Sequence, residues 1–179
     1  MKKLLASTAF AALMATSGSA FALDVGLASV AAPVCVVPNA GASPTLGLVL
    51  NGAGVIPAGG PTGIVNIPGA YCNGVAHLKV TSAKGAVTLG GVLWSTLPAA
   101  PGGFANFIPY TANAAWGLTA IAPTLSATGV AAPVSVNSPP TAGAETNALI
   151  VTASTTGSVF PLVAGTYSDT LTVDIIPGV

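Results

Sequence analysis

The chain has 179 residues, of which 52% are hydrophobic and only 4% charged, with four basic residues against four acidic ones and a mean hydropathy of +0.81. So few cations exclude a nucleic-acid-binding surface, whose affinity rests on neutralising phosphates. Charge of either sign is far below that of an ordinary soluble monomer. This suits a surface covered by a partner or one made of Thr, Ser, Asn and Gly, and composition alone leaves both open.

Lys2 and Lys3 precede the apolar run Leu4 to Met14, and small residues then lead to Ala20-Phe21-Ala22. This is the pattern of a secretory signal peptide with an A-x-A cleavage site, so residues 1–22 are expected to be removed. The apolar run is too short to span a bilayer, and no later stretch is long and apolar without Gly, Pro or polar breaks. Removing the first 22 of 179 residues leaves 157, the size of one domain with a real core. Lys79 and Lys84 then stand against Asp24, Glu145, Asp169 and Asp174, a net charge of −2.

From Leu23 the chain reads as a short extended arm, with Leu23, Val25 and Leu27 on one alternating face. Cys35 to Pro38 continues as a strand, Asn39 to Pro44 supplies a turn, and Leu46, Leu48 and Leu50 alternate in a second strand. A Gly/Pro loop over 52–63 leads to a short strand at Ile64 to Ile67, then to a Pro68-Gly69 turn before Tyr71 and Cys72. Cys35 and Cys72 are 37 residues apart and are the two cysteines of an exported chain, so one disulfide is expected.

Between Val75 and Ser82, Ala76, Leu78, Val80 and Ser82 fall on one face and His77 and Lys79 on the wet one. His77 is the sole histidine and reads as solvated or structural. An apolar run over 87–94 is broken by Gly90 and Gly91, and a Pro/Gly loop over 97–103 precedes the segment Phe104 to Tyr110. Residues 118–140 read as one or two edge strands, and Ala148 to Ser154 as a buried strand.

The cleanest alternation is C-terminal, over 164–177. Tyr167, Leu171, Val173 and Ile175 share one face, and Thr166, Ser168, Thr170, Thr172 and Asp174 the other, the pattern of a half-buried strand that closes at Pro177. Asp169, on the apolar side, is expected to cap a turn or reach solvent at the sheet rim. No segment carries sustained helical periodicity, and 22 glycines with 15 prolines punctuate short runs at sandwich spacing, so the expected fold class is all-β.

Catalytic signatures are missing. There is no Gly-x-Ser-x-Gly elbow, phosphate loop or spaced His/Cys ligand set, and the expectation is a non-enzyme without cofactor or metal. Trp94, Trp116 and Tyr110 are the candidate stacking platforms of a carbohydrate-binding module, although such residues more often pack a core.

Several of these features belong together. The leader, the alternating arm, a Cys opening the first strand and a second Cys 37 residues on are four of them. Others are Tyr71-Cys72-Asn73-Gly74 before an alternating strand, the stretch from Pro109-Tyr110 to Trp116-Gly117, and the final Gly-Thr-Tyr-Ser-Asp-Thr-Leu-Thr-Val. In this combination the chain resembles the spore coat protein U-like domain, which includes pilins of the archaic chaperone–usher pathway. The resemblance implies an immunoglobulin-like β-sandwich over 35–179 that lacks its last strand, preceded by a donor arm at 23–34. It implies a Cys35–Cys72 bridge, donor side chains Leu23, Val25 and Leu27, and an acceptor groove edged by Tyr167, Leu171, Val173 and Ile175. The partners it implies are a periplasmic chaperone, an outer-membrane usher and further pilin subunits, joined by β-strand addition into a surface fibre for adhesion or biofilm formation. The competing expectation is a secreted coat or matrix sandwich that completes its own fold.

Overall fold

Alternating short strands set the architecture, because each buries one face and none is long enough to be stable alone. The computed structural model describes residues 32–38, 50–57, 59–117, 123–129 and 132–178. The leader, the arm with Leu23, Val25 and Leu27, and Leu46 and Leu48 lie outside the described residues.

Twelve strands follow in chain order. They are β1 (Cys35–Val36), β2 (Thr62–Ile67), β3 (Tyr71–Cys72), β4 (Ala76–Ser82), β5 (Val87–Leu89) and β6 (Phe107–Ile108). Then come β7 (Tyr110–Trp116), β8 (Thr124–Ala127), β9 (Val134–Asn137), β10 (Leu149–Thr155), β11 (Tyr167–Ser168) and β12 (Leu171–Pro177). All ladders between them are antiparallel.

Two sheets carry the core. One has the order β2-β10-β7-β8 and the other β12-β4-β9. The first sends in Val65, Ile67, Ala112, Ala114, Trp116, Leu125, Leu149 and Val151, and the second Ala76, Leu78 and Val80, all in one continuous apolar cluster. The fold is therefore an all-β sandwich. The chain passes from one sheet to the other between β8 and β9. Gly129 leaves β8 there at φ 76°, and a Cβ on it would lie 3.0 Å from ring atoms of both Phe107 and Trp94, so a larger residue fails on conformation and on space.

Two small ladders close the ends. At the end where β4 begins and β12 finishes, the arm end, β1 pairs with β3. Cys35 and Cys72 lie directly opposite each other there and are bridged, with Cα atoms 4.0 Å apart. At the other end, the loop end, β11, β5 and β6 form a three-stranded ladder beneath the longer connections.

The alternation expected over Val75 to Ser82 is present: Ala76, Leu78, Val80 and Ser82 are buried while His77, Lys79 and Thr81 are partly exposed. Of the one or two edge strands expected within 118–140, two are present, β8 and β9. The run expected over 87–94 stops at Leu89, because Gly90 and Gly91 turn with positive φ. Leu50 belongs to no strand and is exposed. β7 is a central strand that hydrophobic contrast in the sequence does not mark, because its inward residues Ala112 and Ala114, both buried, are small and weak strand formers.

The bridge closes a loop of 37 residues. The Cys35→Ala/Cys72→Ala variant is expected to lose about 3–4 kcal/mol of stability by loop-closure entropy. Denaturant titration reads this as a lower midpoint with a somewhat steeper slope, because the unlinked unfolded chain exposes more surface, and thiol labelling of the non-reduced parent protein is expected to find no reactive cysteine.

Candidate functional site

The residue pattern of β12 makes it the part of the molecule best suited to take a partner. Its register against β4 sets Leu171 opposite Ser82, Val173 opposite Val80 and Ile175 opposite Leu78, so its apolar side chains point into the sandwich. Thr172 and Asp174 point outward, with Asp174 directly across from Lys79, a favourable opposite-charge pairing. On its far side β12 has no ladder partner among the described residues. Leu171, Val173 and Ile175 are packed against the core but only half-buried, whereas Leu78 and Val80 on the neighbouring strand are sealed.

Other edges of the sandwich differ. On β2 the inward Val65 and Ile67 are buried, so that edge exposes backbone without an apolar face. β9 also holds its inward valines half-buried, but it is four residues long and lies beside β8, to which it is connected. β12 runs seven residues, and the two-residue β1 lies close to it without forming a ladder with it. A row of unpaired N–H and C=O groups above half-covered aliphatic side chains is a template for strand addition, whose backbone bonds supply affinity and whose pockets supply selectivity. Pro177 ends the row because it has no N–H to offer.

A polar cluster fixes where this edge starts. Asp169, between β11 and β12, accepts hydrogen bonds from the Ser82 hydroxyl, from the Tyr110 hydroxyl at 2.7 Å and from the backbone N–H of Lys84 at 2.9 Å. It also accepts the N–H of Thr170 at 2.6 Å, which is the turn cap expected from sequence. The carboxylate thus joins Ser82 at the end of the neighbouring strand β4 to Tyr110 of the facing sheet, and its role extends beyond the rim. Ser82 in turn accepts the N–H of Gly85 at 2.9 Å. Burial raises the Tyr110 phenol well above its usual range, with further upward pressure from the nearby Asp169 charge.

The expected acceptor residues do not all come together. Leu171, Val173 and Ile175 line one face of β12, but the single strand expected over 164–177 is divided at Asp169 and Thr170. Tyr167 lies before the break, in β11, paired with Leu89 of β5, and its hydroxyl donates to the carbonyl of Val163 at 2.7 Å. The donor residues Leu23, Val25 and Leu27 lie outside the described residues.

Trp116 and Tyr110 are 1% and 3% exposed and present no face to a sugar, and Trp94 packs edge-on against Phe107 with ring centroids 4.4 Å apart. Among the described residues no group of three or more His, Cys, Asp or Glu is arranged to hold a metal, and no helix is long and apolar enough to cross a membrane. Comparison with known protein families, with curated proteins and with solved structures returns no match.

Removing the Asp169 carboxylate strands the buried Ser82 and Tyr110 hydroxyls. Asp169→Ala is expected to lose about 2–4 kcal/mol, read by denaturant or thermal unfolding. Because the folded-state pKa of Tyr110 lies above its unfolded value, its contribution is complete below about pH 10 and declines as pH rises past that value. Stability is expected to fall above about pH 10, and Tyr110→Phe to fall less steeply over the same interval, at a lower starting stability.

Proposed function

We propose that the protein is a structural subunit of a bacterial surface fibre, assembled by donation of one copy's N-terminal arm to the open edge of the next. The observation that carries this reading is the combination found at β12: a seven-residue strand with no ladder partner on one side among the described residues, over half-buried Leu171, Val173 and Ile175. The sheet that contains it has three strands and faces one of four, which supports room for one more strand on that side. The arm offers the matching pattern, since Leu23, Val25 and Leu27 present aliphatic side chains at the spacing of alternate strand residues.

In this reading a periplasmic chaperone occupies the edge first, an outer-membrane usher exchanges it for the arm of the next subunit, and the finished polymer serves adhesion or biofilm formation. The bridged cysteines fit export through an oxidising compartment. Leu23, Val25 and Leu27 contribute about 1.5–3 kcal/mol each before the losses of association, so the polymer's durability rests on slow dissociation of the paired strand.

The test is Leu27→Asp in the full chain. The arm precedes the sandwich, so the substitution is expected to leave the melting temperature of the domain unchanged while it forces a carboxylate into a neighbour's apolar groove at a cost of several kcal/mol. Electron microscopy of cell surfaces is expected to show no fibres, and native gels an accumulation of single subunits held by a chaperone. Normal fibres from this variant would overturn the reading.

A further inference from the structure

The large hydrophobic side chains left exposed are segregated. Apart from Ile64 and Ile150, on the outer face of the four-stranded sheet, those among the described residues lie at the two ends of the sandwich. At the loop end three connections are stitched together: the N–H of Ala105 donates to Pro161 at 2.8 Å, and that of Leu162 to Gly54 at 3.1 Å. They hold out Phe104, Val159 and Phe160, which are 47%, 87% and 52% exposed. At the arm end Val34, Tyr71 and Val75 are 47%, 40% and 40% exposed. Val34 exchanges hydrogen bonds with Asn73 two steps along the ladder from the Val36–Tyr71 pair, and Val75 accepts the N–H of Gly178 where β12 ends. Apolar groups concentrated in this way mark interaction surfaces.

The length of the tether says what covers them. Asn73 holds the base of the arm to its own sandwich, accepting the N–H of Val34 at 2.6 Å and donating to the carbonyl of Ala32 at 3.2 Å. Only residues 28–31 separate this clamp from Leu27. The five Cα steps from Leu27 to Ala32 reach about 18 Å when fully extended. A copy that holds Leu27 beside its β12 therefore draws the donor's sandwich against its own.

Strand direction selects the ends that meet. β12 runs from the loop end to the arm end. An arm added antiparallel, the slightly more stable pairing, finishes at the acceptor's loop end, and it enters its own sandwich at that copy's arm end. Unlike ends then abut. A parallel arm would bring two arm ends together and leave Phe104, Val159 and Phe160 uncovered.

We infer that successive copies stack loop end on arm end, with Phe104, Val159 and Phe160 of one packing against Val34, Tyr71 and Val75 of the next. The inference rests on the strand-donation reading and adds a second, body-to-body contact to it. Such a contact joins two different surfaces and does not close on itself, so it propagates along a filament and restricts bending at each junction.

The experiment introduces Phe160→Cys and Tyr71→Cys, both at exposed positions, into the full chain, singly and together. Intact fibres are treated with a short bis-maleimide and dissolved in hot detergent. The double variant is expected to give a ladder of covalent multimers, and each single variant none. Fibres of the double variant that yield no ladder, or ladders from a single variant, would overturn the stacking while leaving strand donation in place. Absence of fibres from the unsubstituted chain would remove strand donation itself, and this contact with it.

Discussion

The ladder between β4 and β12 is the interaction on which the rest depends. β4 is the central strand of its sheet, with Ala76, Leu78 and Val80 almost wholly buried, and among the described residues it is the one strand that holds β12 in place by backbone pairing. An edge strand keeps its inward side chains only half covered, since the neighbour that would shield their other flank is missing. Half-buried Leu171, Val173 and Ile175 are the direct consequence. The Asp169 cluster adds precision at the start of this strand, because it fixes the turn into β12 through Ser82 at the end of β4 and through Tyr110 of the facing sheet. A carboxylate that satisfies two otherwise buried hydroxyls makes the position of β12 costly to shift.

In the proposed fibre the arm end is where load would enter. Cys72 is bridged to Cys35 and lies four residues before β4 starts, so in that fibre tension entering through the arm bypasses the chain between the two cysteines and arrives at β4 by a short path. β4 is hydrogen-bonded along its length to β12, the strand proposed to receive the next subunit's arm. In that arrangement force crosses each subunit through a covalent link and then along a seven-residue ladder loaded in shear, where several backbone bonds resist together. Few charges suit the same arrangement. A subunit whose two ends and one edge are covered by neighbours needs little electrostatic repulsion to stay soluble once assembled, and like-charge contacts at those junctions would oppose stacking.

Where one face of a strand is sealed and the other is wet, the chain writes that fact as a period of two. Val75 to Ser82 and Leu171 to Ile175 were legible for this reason, and the pairing of Cys35 with Cys72 because they are the two cysteines of the sequence. β7 carries the same alternation, with Tyr110, Ala112, Ala114 and Trp116 inward, and that period was the available signal. It went unread because alanine contributes little hydrophobic contrast against Thr111 and Asn113. The burial of Tyr110 and Trp116 illustrates a related limit, since a Tyr or Trp in sequence does not announce whether its ring fills a core or a surface.

The sequence by itself determined the all-β class, the faces of β4 and β12 and the scarcity of charge, because these follow from local alternation and composition. Only the tertiary structure decided that Asp169 turns inward to two hydroxyls and that Tyr167 belongs to a different ladder from Leu171. It alone decided that β12 is an edge and that the exposed apolar residues collect at opposite ends. Each of these depends on which strands become neighbours across long stretches of chain, and local periodicity carries no information about that pairing.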